Sequence, residues 1–381
     1  MIFFDNAATT LQKPCEVADA ALSAIQNLSS PGRGGYSCAA AAAATAFECR
    51  TELQELFGAS SPEQVVFTYN ATHALNIAIK SLVRTGGRVV ISGYEHNAVT
   101  RPLAALNAKM CIVEAPLFSP QETLAAFEKY LSPDVDAVIC NHVSNVFGCV
   151  QPINEIGNLC KARGIPFLVD ASQSAGILPV RMEDSGATFI AAPGHKGLYG
   201  PQGTGVLICQ EDAPVRTLVE GGTGSRSTDL LMPEFLPDRL EPGTHNMPGI
   251  AGLLAGIRFV RTKGTDTICR NERVLAAIAA DGLRQIPGIE VFASEGLYAQ
   301  TGVVSFRHRS IDAETFGSEL ARYGVAVRSG LHCAPLAHKT AGTLKTGTVR
   351  LSFSVFNTVE EVFRFLNITE NLSGQENSAR N

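Results

Sequence analysis

The clearest indication of the fold comes from residues 166–209, which read PFLVDASQSAGILPVRMEDSGATFIAAPGHKGLYGPQGTGVLIC. It contains three short apolar runs bounded by Gly, Pro or Asp, a pattern typical of buried strands. The runs are PFLVDA (166–171), TFIAAP (188–193) and GVLIC (205–209). The Gly-rich turn between the second and third runs would let the backbone approach a bulky ligand closely.

Four similar runs lie upstream, at 65–69, 88–92, 109–115 and 136–141. Patterns of helical period, such as those at 73–84 and 153–164, separate most of the seven runs. This alternation predicts an α/β fold with a mostly parallel seven-stranded sheet and helices on both faces. Ligands of such sheets bind outside the carboxyl ends of the strands.

The pattern changes after about residue 250. A long helical stretch is predicted at 248–285, followed by strands at 289–294, 302–308 and 348–354, the run VAVRSG at 325–330, and helices near 312–323 and 358–371. We therefore predict a large domain at 16–250, a smaller α+β C-terminal domain at 251–381, and an N-terminal segment, 1–15, near the small domain.

Composition excludes some classes of partner. The chain has 381 residues and a net charge of −5, with no long basic run, so we expect no nucleic-acid partner. No apolar stretch reaches the roughly 18 residues of a membrane helix, and the N-terminus lacks a basic leader region. We therefore expect a cytoplasmic protein with no membrane contact.

The ten cysteines are expected to be reduced thiols. Nine of them are expected to be small buried hydrophobes, Cys38, Cys49, Cys140, Cys160 and Cys209 among them.

Two polar residues stand at the ends of predicted neighbouring strands. Lys196 follows the run 188–193, and a desolvated lysine can form a Schiff base with an aldehyde cofactor. Asp170 ends the run 166–171, where a carboxylate can keep the pyridine nitrogen of pyridoxal phosphate (PLP) protonated. Gln173 follows at a spacing that could place its amide near the ring hydroxyl. Taken alone, Lys196 could be a surface lysine and Asp170 could cap the following helix.

Two further stretches follow strands. His96 is placed to stack on an aromatic ring and to carry protons near neutral pH, although a loop histidine is the plainer alternative. In NATHALN (70–76), Ala71 and Thr72 would place N–H groups at a helix N-terminus, which is an anion site. These groups predict an anion site, although a simple helix cap by Asn70 or Thr72 is the plainer alternative.

Cys333 lies in RSGLHCAPLAH (328–338), five residues after Arg328 and seventeen before Arg350. Neighbouring cations favour the reactive thiolate, and an arginine can bind an amino-acid carboxylate in bidentate fashion. A buried thiol is the plainer alternative. A zinc site of His332, Cys333 and His338 matches none of the common ligand spacings.

Together these residues resemble the cysteine desulfurase family, within the class V, fold-type I PLP enzymes. The resemblance covers nearly the whole chain. The matching segments are FFDNAATTLQKP (3–14), YEHNAV (94–99), HVSNVFGCVQPI (142–153), VDASQSAG (169–176), GHKGLYGPQGTG (194–205), LEPGTHN (240–246), RSGLHCAPL (328–336) and VRLSFSVFNTVEEV (349–362). The RSGLHCA loop is similar to that of the group II, SufS-type enzymes, which include selenocysteine lyases.

The resemblance implies a role for each candidate residue. Lys196 would hold PLP and move protons at the substrate Cα, Asp170 would pair with the pyridine nitrogen, and His96 would stack on the ring. Cys333 would take the sulfur of L-cysteine as a persulfide and leave L-alanine. Gln173 and Asn145 would contact the ring hydroxyl and the substrate. The phosphate would be bound by Ala71, Thr72 and His195, together with Gly243 and Thr244 of a partner subunit in a homodimer. The substrate carboxylate would be held by Arg350 with Arg328.

Two positions depart from the SufS-type pattern. Pro193 stands where those enzymes usually carry a phosphate-binding serine, so one phosphate contact is expected to be lost or replaced. Gly32 stands where relatives often place a histidine near the site. These departures leave acceptor and substrate preference open.

Several alternatives stay open. The chain could prefer L-selenocysteine, or it could be a class V aminotransferase or another lyase in which Cys333 is not catalytic. A nucleotide-binding module is disfavoured because the Gly-rich turn lacks the ending of a P-loop, and an inactive scaffold is disfavoured by Lys196, Asp170 and Cys333 together. The sulfur acceptor could serve iron–sulfur cluster assembly, a shuttle protein or a selenium pathway.

Overall fold

A computed structural model describes residues 1–32, 34–296 and 298–379. Its strands are β1 (Ile2–Phe3), β2 (Val65–Thr68), β3 (Arg88–Ser92), β4 (Lys109–Val113), β5 (Val135–Asn141), β6 (Phe167–Asp170), β7 (Phe189–Pro193), β8 (Gly205–Cys209), β9 (Ile289–Phe292), β10 (Val303–His308), β11 (Val325–Ala326), β12 (Arg328–Gly330) and β13 (Thr348–Ser352). Its helices are α1 (Cys15–Asn27), α2 (Ser37–Phe57), α3 (Ala71–Leu82), α4 (Asn97–Ala105), α5 (Pro120–Glu128), α6 (Ile153–Ala162), α7 (Met182–Ser185), α8 (Met247–Lys263), α9 (Thr265–Gln285), α10 (Ala313–Arg322), α11 (Pro335–Thr340) and α12 (Val359–Ala379). Among these helices, none is long and apolar enough to cross a bilayer.

The seven predicted strands form one sheet in the order β2-β8-β7-β6-β5-β3-β4. Only β8 runs antiparallel to its neighbours, β2 and β7, so the prediction of a mostly parallel α/β sheet is confirmed. Alternate residues of β5 enter different cores: Val138 and Cys140 pack in one cluster, and Ala137 and Ile139 in another. The sheet is therefore buried on both faces, which explains its continuous apolar runs.

A second core lies in the C-terminal part of the chain. A four-stranded antiparallel sheet, β12-β13-β10-β9, packs against α9, α10 and α12. The short strand β1, from the other end of the chain, pairs in parallel with β11 and completes this layer. Ile2 and Phe4 are buried in the C-terminal core as a result.

The long helix predicted at 248–285 is two helices. Gly264, with a φ of 81°, separates α8 from α9 in a left-handed conformation that other residues rarely adopt. Ile250 and Leu253 of α8 belong to the core of the large sheet, whereas Leu275 of α9 belongs to the C-terminal core. We propose that the domain boundary lies at Gly264 rather than at the predicted residue 250.

The expectation of nine buried cysteines is wrong. Cys49, Cys140, Cys160 and Cys209 are buried as expected, but Cys15 and Cys38 are exposed and Cys111 is half-buried. Cys15 and Cys38 lie in the first turns of α1 and α2, on faces turned to solvent.

Candidate active site

A cleft of about 530 Å³ lies at the carboxyl ends of β5, β6 and β7. Its lining includes Asn70, Ala71, Thr72, His96, Asn145, Asp170, Gln173, Pro193, His195 and Lys196. The tertiary structure thus gathers into one space every residue that sequence analysis placed around the cofactor, apart from Gly243 and Thr244. Gly32 is exposed and does not line the cleft.

Lys196 sits in the segment between β7 and β8, residues 194–204, which we call the lysine turn. A 2.9 Å hydrogen bond from Gly194 N to Thr204 O joins the two ends of the turn, and a 2.7 Å hydrogen bond from Gly200 N to Gly194 O lies within it. The carbonyl of His195 accepts from the Nζ of Lys13 at 3.2 Å. Burial, with a smaller contribution from the charge of Arg350, lowers the pKa of Lys196 to about 8. A substantial fraction of this amine is therefore neutral near pH 8.

Asp170 and His96 each present one side to the cleft. Oδ1 of Asp170 accepts from the backbone N–H of Ser172 at 2.9 Å. Nδ1 of His96 accepts from the N–H of Ala98 at 3.0 Å and caps α4, so the proton of the neutral ring lies on Nε2. Burial lowers the pKa of His96. The charge of Asp170 raises this pKa, and the charge of Lys196 lowers it. His96 is therefore a neutral ring near pH 7.

Gln173 is buried, and its Nε2 donates to the carbonyl of Ala7 at 3.0 Å. This bond fixes the orientation of the amide. The N-terminal stretch of the chain therefore helps to shape the cleft.

The N-terminus of α3 points into the cleft. The side chain of Asn70 accepts from the N–H of His73 at 2.9 Å, and its carbonyl accepts from Ala74 N at 3.2 Å. Within the described residues the N–H groups of Ala71 and Thr72 have no such partner, so two donors and the helix dipole are directed at an anion.

His195 lines the same cleft. Burial, with smaller contributions from the charges of Lys196 and Lys13, lowers its pKa to about 4. Its Nδ1 lies 3.0 Å from Oγ1 of Thr9. Pro193 brings no hydroxyl to the site, as the sequence indicates.

Gly243 and Thr244 lie elsewhere. They line a second cleft, of about 770 Å³, together with Tyr69, His73 and Asn246. Within the same chain they do not line the cleft that holds Lys196. Their assignment to a partner subunit's cofactor stays a prediction.

Cys333 is exposed in a short connection between β12 and α11, residues 331–334, which we call the cysteine loop. Three hydrogen bonds hold this loop: Ala334 N to Leu331 O at 2.8 Å, Asn97 N to Cys333 O at 2.8 Å, and Asn145 Nδ2 to His332 O at 2.9 Å. Asn145 and Asn97 thus tie the loop to the cofactor cleft and to α4.

The zinc alternative has little support from the geometry. His332 is buried, with Nε2 3.2 Å from Arg328 O and Nδ1 3.3 Å from Nε2 of His338. Nδ1 of His338 lies 2.7 Å from Oγ1 of Thr343. All four ring nitrogens already face a hydrogen-bonding neighbour, so none is directed at a shared ion.

Arg350 lies on β13 with a side chain only 2% exposed. Its Nη1 donates to the carbonyl of Asn145 at 2.8 Å, its Nη2 pairs with Oδ1 of Asp5 at 2.7 Å, and its Nε has no partner among the described residues. Sequence reasoning missed Asp5, which also pairs through Oδ2 with Nε of Arg328 at 3.2 Å. The only signal was its place in the FFDNAATT segment.

Known proteins resemble this chain in sequence and in fold. The family described as "Aminotransferase class-V" matches residues 2–365. A probable cysteine desulfurase of Pyrococcus abyssi is 32% identical, over 98% of this chain and 94% of its own. One of Mycolicibacterium paratuberculosis is 33% identical over 96% of this chain, but the chain spans only 54% of that relative. The solved apo cysteine desulfurase of Thermococcus onnurineus superimposes with a TM-score of 0.88 and 31% identity, covering 98% of this chain and 95% of its own.

Proposed function

The chain belongs to the class-V aminotransferase family, among the relatives of the cysteine desulfurases, and on that premise we propose that it removes sulfur from L-cysteine using PLP. The single observation that carries the proposal is one continuous site. It joins a lysine of lowered pKa at the end of β7 to an exposed Cys333 through Asn145, which lines the cleft and donates to the cysteine loop.

The residues of the cleft fit PLP. The unpartnered N–H groups of Ala71 and Thr72 suit its phosphate, and Asp170 suits a protonated pyridine nitrogen. When bound, PLP supplies a ring that accepts electrons and makes the Cα proton of an amino acid acidic.

Three residues of the chain then divide the work at the ring. Lys196 would hold the cofactor and, as a neutral amine, would take the proton from the substrate Cα and return a proton to the product. The charge of Asp170 would keep the ring nitrogen protonated. His96, whose ring is oriented by the N–H of Ala98, would pack against the bound ring and exclude water.

Arg350, Asn145 and Cys333 act on the substrate itself. Arg350 binds the substrate carboxylate, with Asn145 beside it. The Cys333 thiolate attacks the substrate sulfur, so a new S–S bond forms as the Cβ–S bond breaks. The electron pair of that bond passes to the carbon fragment, which takes up protons and leaves as L-alanine. The persulfide on Cys333 is then passed to a sulfur acceptor.

The test is sulfide release from L-cysteine with a reductant, measured together with alanine. We expect the Cys333→Ala variant to lose activity on the order of 100-fold or more, because the nucleophile is removed. Cys38→Ala, which removes another exposed thiol, is the matched control and should keep full activity. Wild-type sulfide release by Cys333→Ala would contradict the persulfide role.

We also propose that the enzyme acts as a homodimer. The Gly243–Thr244 cleft opens beside Tyr69, whose side chain is 60% exposed, and Leu230 and Leu231 are also strongly exposed. Burial of these apolar side chains against a second copy would bring Gly243 and Thr244 to the partner's phosphate.

A further inference from the structure

One carboxylate, that of Asp5, is shared by two arginines. Oδ1 lies 2.7 Å from Nη2 of Arg350, and Oδ2 lies 3.2 Å from Nε of Arg328. Arg328 and Arg350 are directly opposite each other on the antiparallel strands β12 and β13. Like charges placed opposite each other in this way repel, and Asp5 offsets that repulsion.

The backbone fixes the position of Asp5. Asp5 forms an isolated bridge with Ser352, and Phe4 N donates to Ala326 O at 2.8 Å just before it. The carboxylate, with a side chain 15% exposed, is therefore held against both guanidinium groups by the pairing of the N-terminus with the C-terminal layer.

The two arginines differ in exposure. Arg350 is almost completely buried, whereas the side chain of Arg328 is 48% exposed. Arg328 uses Nε for Asp5, and within the described residues its Nη groups have no hydrogen-bond partner. Its fork could therefore bind a further anion if Asp5 did not neutralise it.

Arg328 is also close to the cysteine loop, which carries the thiol proposed to attack the substrate sulfur. Its carbonyl is 3.2 Å from Nε2 of His332, the residue before Cys333. The charges of both Arg328 and Arg350 lower the pKa of Lys196, so both act on the same site. With Asp5 in place, this pair of cations carries one net positive charge.

We propose that Asp5 is a positioning residue that sets the charge of the accepted amino acid: by tying Arg328 to Arg350 it admits one carboxylate and rejects an anionic side chain. The inference rests on the proposed function, since it takes Arg350 as the carboxylate-binding residue. Loss of the Asp5 charge would leave two positive charges and an unpaired fork beside the substrate side chain.

The experiment compares L-aspartate with L-asparagine, which have the same shape but differ in side-chain charge. Each is used as a competitive inhibitor of sulfide release from L-cysteine by the holoenzyme, or is titrated against the absorption of bound cofactor where turnover is slow. In Asp5→Asn we expect the preference for aspartate over asparagine to rise about tenfold, roughly 1.4 kcal/mol. Asp5→Glu, which keeps the charge, should stay near the wild-type ratio.

A second variant works in the opposite direction. Arg328→Gln removes one positive charge, so the preference for aspartate should fall below that of the wild type. This measurement keeps the inference testable if Asp5→Asn does not fold. Equal weakening of both inhibitors in Asp5→Asn, or an unchanged ratio in Arg328→Gln, would overturn the inference and mark the contact as structural only. Absence of sulfide release from the wild type would instead overturn the proposed function.

Discussion

Lys196 owes its chemistry to its surroundings rather than to its identity. An ordinary lysine has a pKa near 10.4 and is almost fully charged at pH 7. Burial at the end of β7 removes water from the ammonium, and the nearby charge of Arg350 disfavours it further, so the pKa falls to about 8. The structure therefore supplies a nucleophilic amine at a pH where a surface lysine would supply almost none.

The lowered pKa predicts the pH dependence of cofactor capture. Because the neutral amine is the reacting form, the rate should rise about tenfold between pH 7 and pH 9 and then level off. An unperturbed lysine would instead continue to gain about tenfold per pH unit up to about pH 10. Stopped-flow mixing of apoprotein with PLP, followed by the absorption of bound cofactor, measures this rate. Lys196→Ala is the control, and borohydride should fix no cofactor to it. A rate still rising steeply above pH 9 would contradict the lowered pKa.

At the scale of elements, the lysine turn is positioned by close backbone contacts. A Cβ added at Gly256 of α8 would lie 2.3 Å from the carbonyl oxygen of Leu198, and one at Gly197 would lie 2.4 Å from that of Ala175. Backbone atoms cannot rotate away as side chains do. The helix α8 and the segment after β6 therefore hold the turn from two sides, and glycine is required because nothing larger fits.

Gly256→Ala tests this packing. Alanine should raise helix propensity by about 1 kcal/mol, but the clash with the lysine turn should cost about 1–3 kcal/mol and displace Lys196. We expect a lower denaturant midpoint and a roughly tenfold weaker affinity for PLP. Gly35→Ala is the control, since a Cβ there meets nothing within 4 Å. Unchanged PLP affinity in Gly256→Ala would show that the turn does not depend on α8.

At the scale of the whole molecule, the first thirteen residues connect the two cores. Phe4 is fully buried in the C-terminal core, with its ring 4.8 Å from that of Phe353 and 5.9 Å from that of Phe365. Asp5 then pairs with Arg350, and Lys13 donates to the carbonyl that precedes Lys196. The N-terminal segment therefore links Arg350 to Lys196, the residues proposed to bind the substrate carboxylate and the cofactor.

Phe4→Ala should reveal this link. Removal of a fully buried phenyl ring costs about 3–5 kcal/mol, and the loss should also disturb Asp5 next to it. We expect a lower urea midpoint and a higher KM for L-cysteine. Phe363→Ala, which removes a side chain 55% exposed from the same C-terminal part, should shift the midpoint little. Equal midpoints for the two variants would show that Phe4 is not anchored.

The large sheet, and the edge of it at which Asp170 and Lys196 lie, could be predicted from the sequence. The seven strands follow from short apolar runs with local breakers, and parallel strands must bring their carboxyl ends to one edge. Asp170 and Lys196 could therefore be placed together from the sequence alone. The break between α8 and α9 at Gly264 could not be predicted, because a single glycine inside a helical pattern is compatible with one helix or two.

The meeting of Asp5, Arg328 and Arg350 could not be predicted from the sequence. Asp5 and Arg350 are 345 residues apart in sequence. Their pairing requires β1, near the N-terminus, to pair with β11, in the C-terminal part of the chain. Local periodicity carries no information about which distant segments share an edge, because such pairing depends on the packing of whole elements. For the same reason, the sequence did not predict the exposure of Cys15 and Cys38. It also did not predict the hydrogen bonds that hold the cysteine loop.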